Sequence, residues 1–219
     1  MQPKTQYMER FIMQDLIAWK NREDRKPLIL LGARQVGKTY ILKEFGQREF
    51  ENVAYINCDN NAMAKDLFAS DYNIDRILLT IGAITGVNIE AGKTLIIMDE
   101  IQELHRGLAS LKYFCENARE YHVAVAGSLL GLSLHQGESY PVGKVNTLEM
   151  YPMTFEEFLW ARGFKQRMDL LQHGMWDVVK SLRTLYIQHL REYYLVGGMP
   201  EAVNKFIETN DANAVREVQ

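Results

Sequence analysis

Residues 32–39 read GARQVGKT, two glycines bracketing four residues and followed at once by a lysine and a threonine. Glycine reaches φ values closed to other residues, so the backbone can turn its N–H groups inward around an anion, and a helix opening behind the loop adds the positive end of its dipole. Lys38 supplies a point charge for the β and γ phosphates of a nucleotide, and the Thr39 hydroxyl is placed to ligate magnesium. The candidate cradle is Gly32, Ala33, Arg34, Gln35, Val36, Gly37, Lys38 and Thr39, with Tyr40 beside it. A glycine turn that merely precedes a lysine is the plain alternative. The apolar run before the loop and the helical pattern after it favour the phosphate reading.

A magnesium–phosphate site needs a second acidic group, and TLIIMDE at 94–100 offers one at the end of an apolar strand. Asp99 is expected in the magnesium shell, and Glu100 is expected to orient and polarise an attacking water. Either carboxylate read alone is a loop cap or a surface acid. Ser128, closing VAVAGS, stands where ligands bind at the carboxyl ends of parallel strands. Its hydroxyl either contacts the γ-phosphate or the water, or caps the next helix.

These residues need a scaffold. PLILL from Pro27, VAYIN from Val53, TLIIMD from Thr94 and HVAVAG from His122 are short continuous apolar runs, the pattern of strands buried on both faces. KVNTLEM at 144–150 is partly polar and fits an edge strand. Helical patterns lie between the runs: Met8, Phe11, Ile12, Leu16 and Trp19 in a first helix from about Tyr7, TYILKEF with Gly46 as its C-cap, and Leu108, Leu111, Cys115 and Ala118 after Gly107. Strands alternating with helices give βαβ units and a parallel sheet. About 30 residues per unit leaves room for VAYIN between the two motif strands, so those two are not sequential. After Pro152 the character changes: Thr154 and Glu157 form a capping-box pattern, and the rest reads as helix, broken at GGMPE from Gly197.

At 219 residues, 47% hydrophobic, the chain can bury one large domain or a domain with a small appendage. A net charge of −3 gives no global field that gathers nucleic acid or an anionic membrane surface. Cys58 and Cys115 belong to no C-x-x-C pair and read as reduced core residues of a cytoplasmic protein. No run of about 18 apolar residues suggests a membrane span.

The segments WKNREDRKPLILLGARQVGKT, IIMDEIQEL, VAVAGSLLG, PVGKVNTLEMYPMTFEEFL and YYLVGGMPEAV, in this order, resemble the bacterial and archaeal ATPases of the AAA+ class in which an ATP-binding AAA domain precedes a second domain of unknown function. The resemblance implies an α/β P-loop NTPase fold: a five-stranded parallel sheet in the order 5-1-4-3-2, flanked by helices, with a small C-terminal helical subdomain. It implies a catalytic glutamate at Glu100, Lys38 on the phosphates, a sensor-one residue at Ser128 where many relatives have asparagine, and magnesium held through Thr39 and Asp99. The residue patterns divide the chain into an N-terminal helix over 1–25, an ATPase core over 26–152 and a helical subdomain over 153–219, and the resemblance implies a longer protein beyond. The class uses an arginine finger; Arg34 and Arg106 are candidates, each equally a solvated surface arginine. Lys144 is a candidate second phosphate contact or an ordinary edge-strand lysine. Arg10, Phe11 and Pro27 lie where adenine sits in such folds.

The leading expectation is magnesium-dependent ATP binding and hydrolysis that drives a conformational change. ATP is preferred because no N-K-x-D guanine-reading motif follows a strand. Expected partners are ATP and ADP, with a homo-oligomer or protein partner through the helical subdomain; nucleic acid and membrane are not indicated. An ATP-dependent switch with slow turnover is the second reading. A small-molecule or nucleotide kinase is the third, disfavoured because residues 130–143 lack the arginines of a phosphoryl-transfer lid.

Overall fold

In a computed structural model, which describes residues 8–59, 61–65, 67–68, 71–104, 106–128 and 141–218, the apolar runs form one sheet. Its strands are β1 (Leu28–Gly32), β2 (Asn52–Asn57), β3 (Thr94–Asp99), β4 (His122–Ser128) and β5 (Asn146–Met150). They lie in the order β2-β3-β4-β1-β5, every neighbouring pair parallel. This is the expected order, read from the opposite edge. The two motif strands, β1 and β3, are separated by β4, and β5 is an edge strand as its polarity suggested.

The central strands explain their composition. All six residues of β3 are buried, because helices cover both sheet faces. Ile29, Ala54, Ile56, Ile96, Met98, Val123 and Val125 pack on one face against α4 (Ile74–Thr85) and α5 (Gly107–Asn117), through Ile77, Ile81, Leu111 and Phe114. Residues alternating with these, including Tyr55, Ile97 and Asp99, point to the other face, where α2 (Lys38–Glu49) lies. That alternation aims Asp99 at the helix that opens with Lys38. A short α3 (Ala62–Lys65) follows β2.

Two helix boundaries differ from the sequence reading. The first helix, α1, spans Ile12–Lys20; Met8 and Phe11 precede it in non-helical chain, and Tyr7 lies outside the described residues. Gly46 does not end α2, which continues to Glu49 with Phe50 as its C-cap. Gly46 is instead a close-approach glycine, since a Cβ there would stand 2.6 Å from Val53 Cγ2 on β2. Lack of bulk, not a left-handed backbone, is what the position requires.

The chain has two compact units: Ile12–Met150, which carries the sheet, and Tyr151–Gln219 joined by the chain start up to Phe11. The second is helical: α6 (Phe155–Ala161), α7 (Lys165–Gln172), α8 (Trp176–Ser181), α9 (Arg183–Val196), α10 (Pro200–Thr209) and α11 (Ala212–Val215). Thr154 and Glu157 form the expected capping box. Glu157 does more than cap: its carboxylate also accepts from the Phe11 N–H at 2.8 Å and pairs with Arg10 at 3.1 Å, both side chains nearly fully buried. Breaking such a pair leaves one charge stranded in the interior, so it fixes the chain start to this unit. Its core holds Met153, Phe158, Leu159, Val196, Val203 and Phe206. The GGMPE break is required at Gly198, where a Cβ would collide with the Met153 backbone.

Candidate functional site

The loop between β1 and α2 turns through two left-handed backbone positions. Gly37 has φ 96° and Gln35 φ 64°. Gln35 is not glycine and is held in a sparsely populated region, a cost that persists only where the surroundings fix it. α2 opens at Lys38 behind Gly37, which makes no side-chain cap, so the positive end of the helix dipole lies at the loop. Gly32 is needed for space: a Cβ there would collide with the Met150 carbonyl oxygen of β5 and lie 3.2 Å from Val36 Cγ2.

Lys38 lies buried beneath this loop, 7% exposed. Its ammonium donates to the Gly32 carbonyl at 3.0 Å and the Ala33 carbonyl at 2.7 Å. Burial pulls its pKa below the ordinary lysine value, while Glu100 and Asp99 act the other way. Both carboxylates therefore lie within electrostatic reach of the ammonium.

The two motifs meet at Asp99. Its Oδ2 accepts from the Thr39 hydroxyl at 2.5 Å and from the Tyr55 hydroxyl at 3.2 Å, and its Oδ1 from the Glu100 N–H at 3.2 Å. Glu100 sits at φ 52°, in the left-handed region, where the chain turns out of β3 into a 3-10 turn, Ile101–Glu103. Gln102 in that turn donates to Glu100 Oε2 at 2.5 Å, while its own Oε1 is buried with no partner among the described residues. Cys58 is buried behind Asp99 with its N–H on the Asp99 carbonyl at 2.9 Å. Burial, then the nearby carboxylates, push its thiol up to about 12, so it stays protonated and inert.

The structure thus brings together Gly32, Gly37, Lys38, Thr39, Asp99 and Glu100, with Ala33, Arg34, Gln35 and Val36 forming the rest of the loop and Tyr40 39% exposed on the first turn of α2. Ser128 ends β4 with its backbone in register with Gly32; its side chain lies outside the described residues, as do residues 130–140 of the arginine-free segment 130–143. Lys144 does not approach the phosphate loop. It precedes β5, and the parallel register of Leu28 with Asn146 and Gly32 with Met150 sets it at the opposite end of the sheet, where Glu116 holds it at 2.9 Å. Arg106 lies over the Tyr72 ring at 4.3 Å and donates to its hydroxyl at 3.0 Å. Arg10 is engaged by Glu157 and the Tyr151 carbonyl. Tyr55 and Gln102 escaped the sequence reading. The period of two along VAYIN does place Tyr55 on the same face as Asp99, but nothing in IQEL marks Gln102.

Residues 24–159 match the family model described as an AAA domain. An uncharacterized protein of Methanocaldococcus jannaschii, MJ1637, is 28% identical over 197 residues, which are 82% of this chain and 39% of that protein. A point variant of RuvB from Thermotoga maritima has the same fold at a TM-score of 0.51 and 16% identity, covering 94% of this chain and 65% of that one. The chain thus spans well under half the length of its curated relative and less than two thirds of RuvB. Among the described residues no helix is long and apolar enough to cross a membrane. With the phosphate loop, the acidic strand end and the 5-1-4-3-2 sheet in place, the match over 24–159 settles the family: this chain belongs to the AAA domain family, an AAA+ ATPase domain with a P-loop NTPase fold.

Proposed function

We propose that the chain binds ATP with magnesium in the cradle of residues 32–39 and hydrolyses it, the nucleotide state being coupled to the helical unit. One observation carries this reading: the 2.5 Å contact of Thr39 Oγ1 with Asp99 Oδ2. It joins the end of the phosphate loop to the acidic strand end, with Lys38 and Glu100 on either side.

Two oxygen donors on a nearly buried site suit a hard cation such as magnesium, which takes one or two protein groups and completes its shell with water and phosphate oxygens. Thr39 and Asp99 would hold it, and bound there it would neutralise charge building on the phosphates. Lys38 transfers its hydrogen bonds from the loop carbonyls to phosphate oxygens, which replace buried neutral acceptors with charged ones. The N–H groups of the loop and the first turn of α2 cradle the phosphates. Glu100, steered by Gln102, orients the attacking water and takes its proton. Ser128 contacts the γ-phosphate or that water from the neighbouring strand. An assembly of copies, or a protein partner on the helical unit, supplies the arginine that this unit leaves unassigned.

The test pairs nucleotide binding with phosphate release at saturating ATP and magnesium, and adds solution mass with and without ATP. Binding with turnover supports the proposal. Tight binding without turnover makes the protein a nucleotide switch, and nucleotide-driven assembly places the missing arginine on a second copy.

A further inference from the structure

The Tyr55 hydroxyl is part of the Asp99 site, yet neither the phosphate loop nor the acidic motif includes it. Tyr55 lies on β2 and Asp99 on β3, where Asp99 is in register with Asn57. Two residues back along β2 is one step along the same sheet face, and a tyrosine is long enough to reach diagonally forward. Its hydroxyl arrives 3.2 Å from Oδ2, the oxygen that also accepts the Thr39 hydroxyl. The ring is held from above: Lys43 Nζ lies 3.5 Å from its centroid. Thr39 and Lys43 are four residues apart on α2 and so share one helix face. One helix face therefore meets two adjacent strands at two points, Thr39 on Asp99 and Lys43 on Tyr55, and the Tyr55 hydroxyl ties the points together.

A carboxylate oxygen only accepts, so the phenol hydroxyl is the donor in this contact. A cation over the ring draws electron density from the hydroxyl and makes it a better donor. Two donors on Oδ2 fix the rotation of the carboxylate and leave it little freedom to lose when a cation binds. A hydroxyl that ligates metal through a lone pair keeps its proton, so Thr39 can stay a donor to Oδ2 and Tyr55 is the second side chain that keeps Asp99 aligned.

We infer that Tyr55 is a positioning residue for the metal-binding carboxylate, holding Asp99 Oδ2 through its hydroxyl while Lys43 clamps its ring against α2. This rests on the proposed role of Thr39 and Asp99 toward magnesium. Tyr55→Phe keeps the ring and its lysine and removes only the hydroxyl. The measurements are manganese affinity of the ADP-loaded protein by electron paramagnetic resonance, ADP affinity in EDTA, and melting temperature. Loss of one hydrogen bond to a charged group predicts manganese binding weakened at least about tenfold, with ADP affinity in EDTA unchanged and the melting temperature within about 10 °C of wild type. Unchanged manganese affinity in Tyr55→Phe, against a wild type that binds the metal, overturns the inference and leaves the nucleotide site standing. Equal losses with and without metal also overturn it, by making the hydroxyl a general structural contact. A wild type with no metal-dependent ADP binding overturns both the inference and the reading beneath it.

Discussion

Gly32→Ala tests whether the phosphate loop is as tightly seated as its geometry requires. The added methyl would point at the Met150 carbonyl oxygen, with Val36 Cγ2 at 3.2 Å on its other side. Neither neighbour is a flexible side-chain end. Met150 is paired in register with Gly32 in the β1–β5 ladder, and Val36 is fully buried. Relief therefore requires backbone movement of roughly 1 Å, close to the gap between collision and ordinary contact. Overpacking of this kind costs about 1–3 kcal/mol, which for a chain of this size lowers the melting temperature by about 3–10 °C. The same movement displaces the Gly32 and Ala33 carbonyls that Lys38 holds, so ATP affinity should fall at least about tenfold, or 1.4 kcal/mol. Gly92→Ala is the control: its φ is 76° and a Cβ there meets nothing within 4 Å. It should cost about 1–2 kcal/mol from the left-handed backbone alone and leave ATP affinity unchanged. Thermal unfolding and equilibrium binding of a fluorescent ATP analogue read both effects. Gly32→Ala with wild-type affinity would refute the claim that the loop cannot yield.

Further outcomes follow from other contacts. His122 is buried against Trp19 and Phe50, and burial, then Arg25 and Lys20, bring its pKa from 6.5 down to about 4. Between those values the unfolded chain binds a proton that the fold does not, so stability falls on acidification across that window, by about 3 kcal/mol. Urea unfolding from pH 7 to 4 should show this slope, and His122→Phe should flatten it. Gln102→Leu removes both the donor on Glu100 and a buried unpartnered oxygen, so stability should change by less than about 1 kcal/mol. Turnover should drop about tenfold at unchanged ATP affinity, because misplacement of a water-orienting group acts on kcat. Thr154→Ala breaks the capping box of α6 and should cost about 1 kcal/mol in thermal unfolding, without changing nucleotide binding.

Strands were easiest to read because burial on both faces erases polarity along TLIIMD and HVAVAG, and the glycine spacing at 32–37 is a direct statement of backbone geometry. What escaped depends on distance in sequence. Gly46 has the look of a helix stop, and only the approach of Val53 across the fold shows it to be an interior contact. Phe11 and Met8 continue the helical spacing of α1, yet the Phe11 N–H is taken by Glu157, 146 residues away. Of the two readings of Lys144, the edge-strand lysine is the right one, because parallel pairing sets it at the far end of β5 from the phosphate loop. The carboxylates of the candidate site were legible from residue type and strand end. The residues that aim them, Tyr55 and Gln102, were not, since a hydroxyl on a neighbouring strand and an amide in a turn leave no local pattern.

Glu100, on the wall opposite the phosphate cradle, is the proposed water-activating carboxylate. Glu100→Gln preserves the shape of the side chain and its place in the turn after β3, and removes only its capacity to take a proton. Phosphate release under single-turnover conditions, measured beside ATP affinity in the same preparation, isolates that capacity. ATP binding should be unchanged or tighter, with release slowed by at least about 100-fold, in the range typical of a general base. Phosphate release by Glu100→Gln at the wild-type rate would contradict that role.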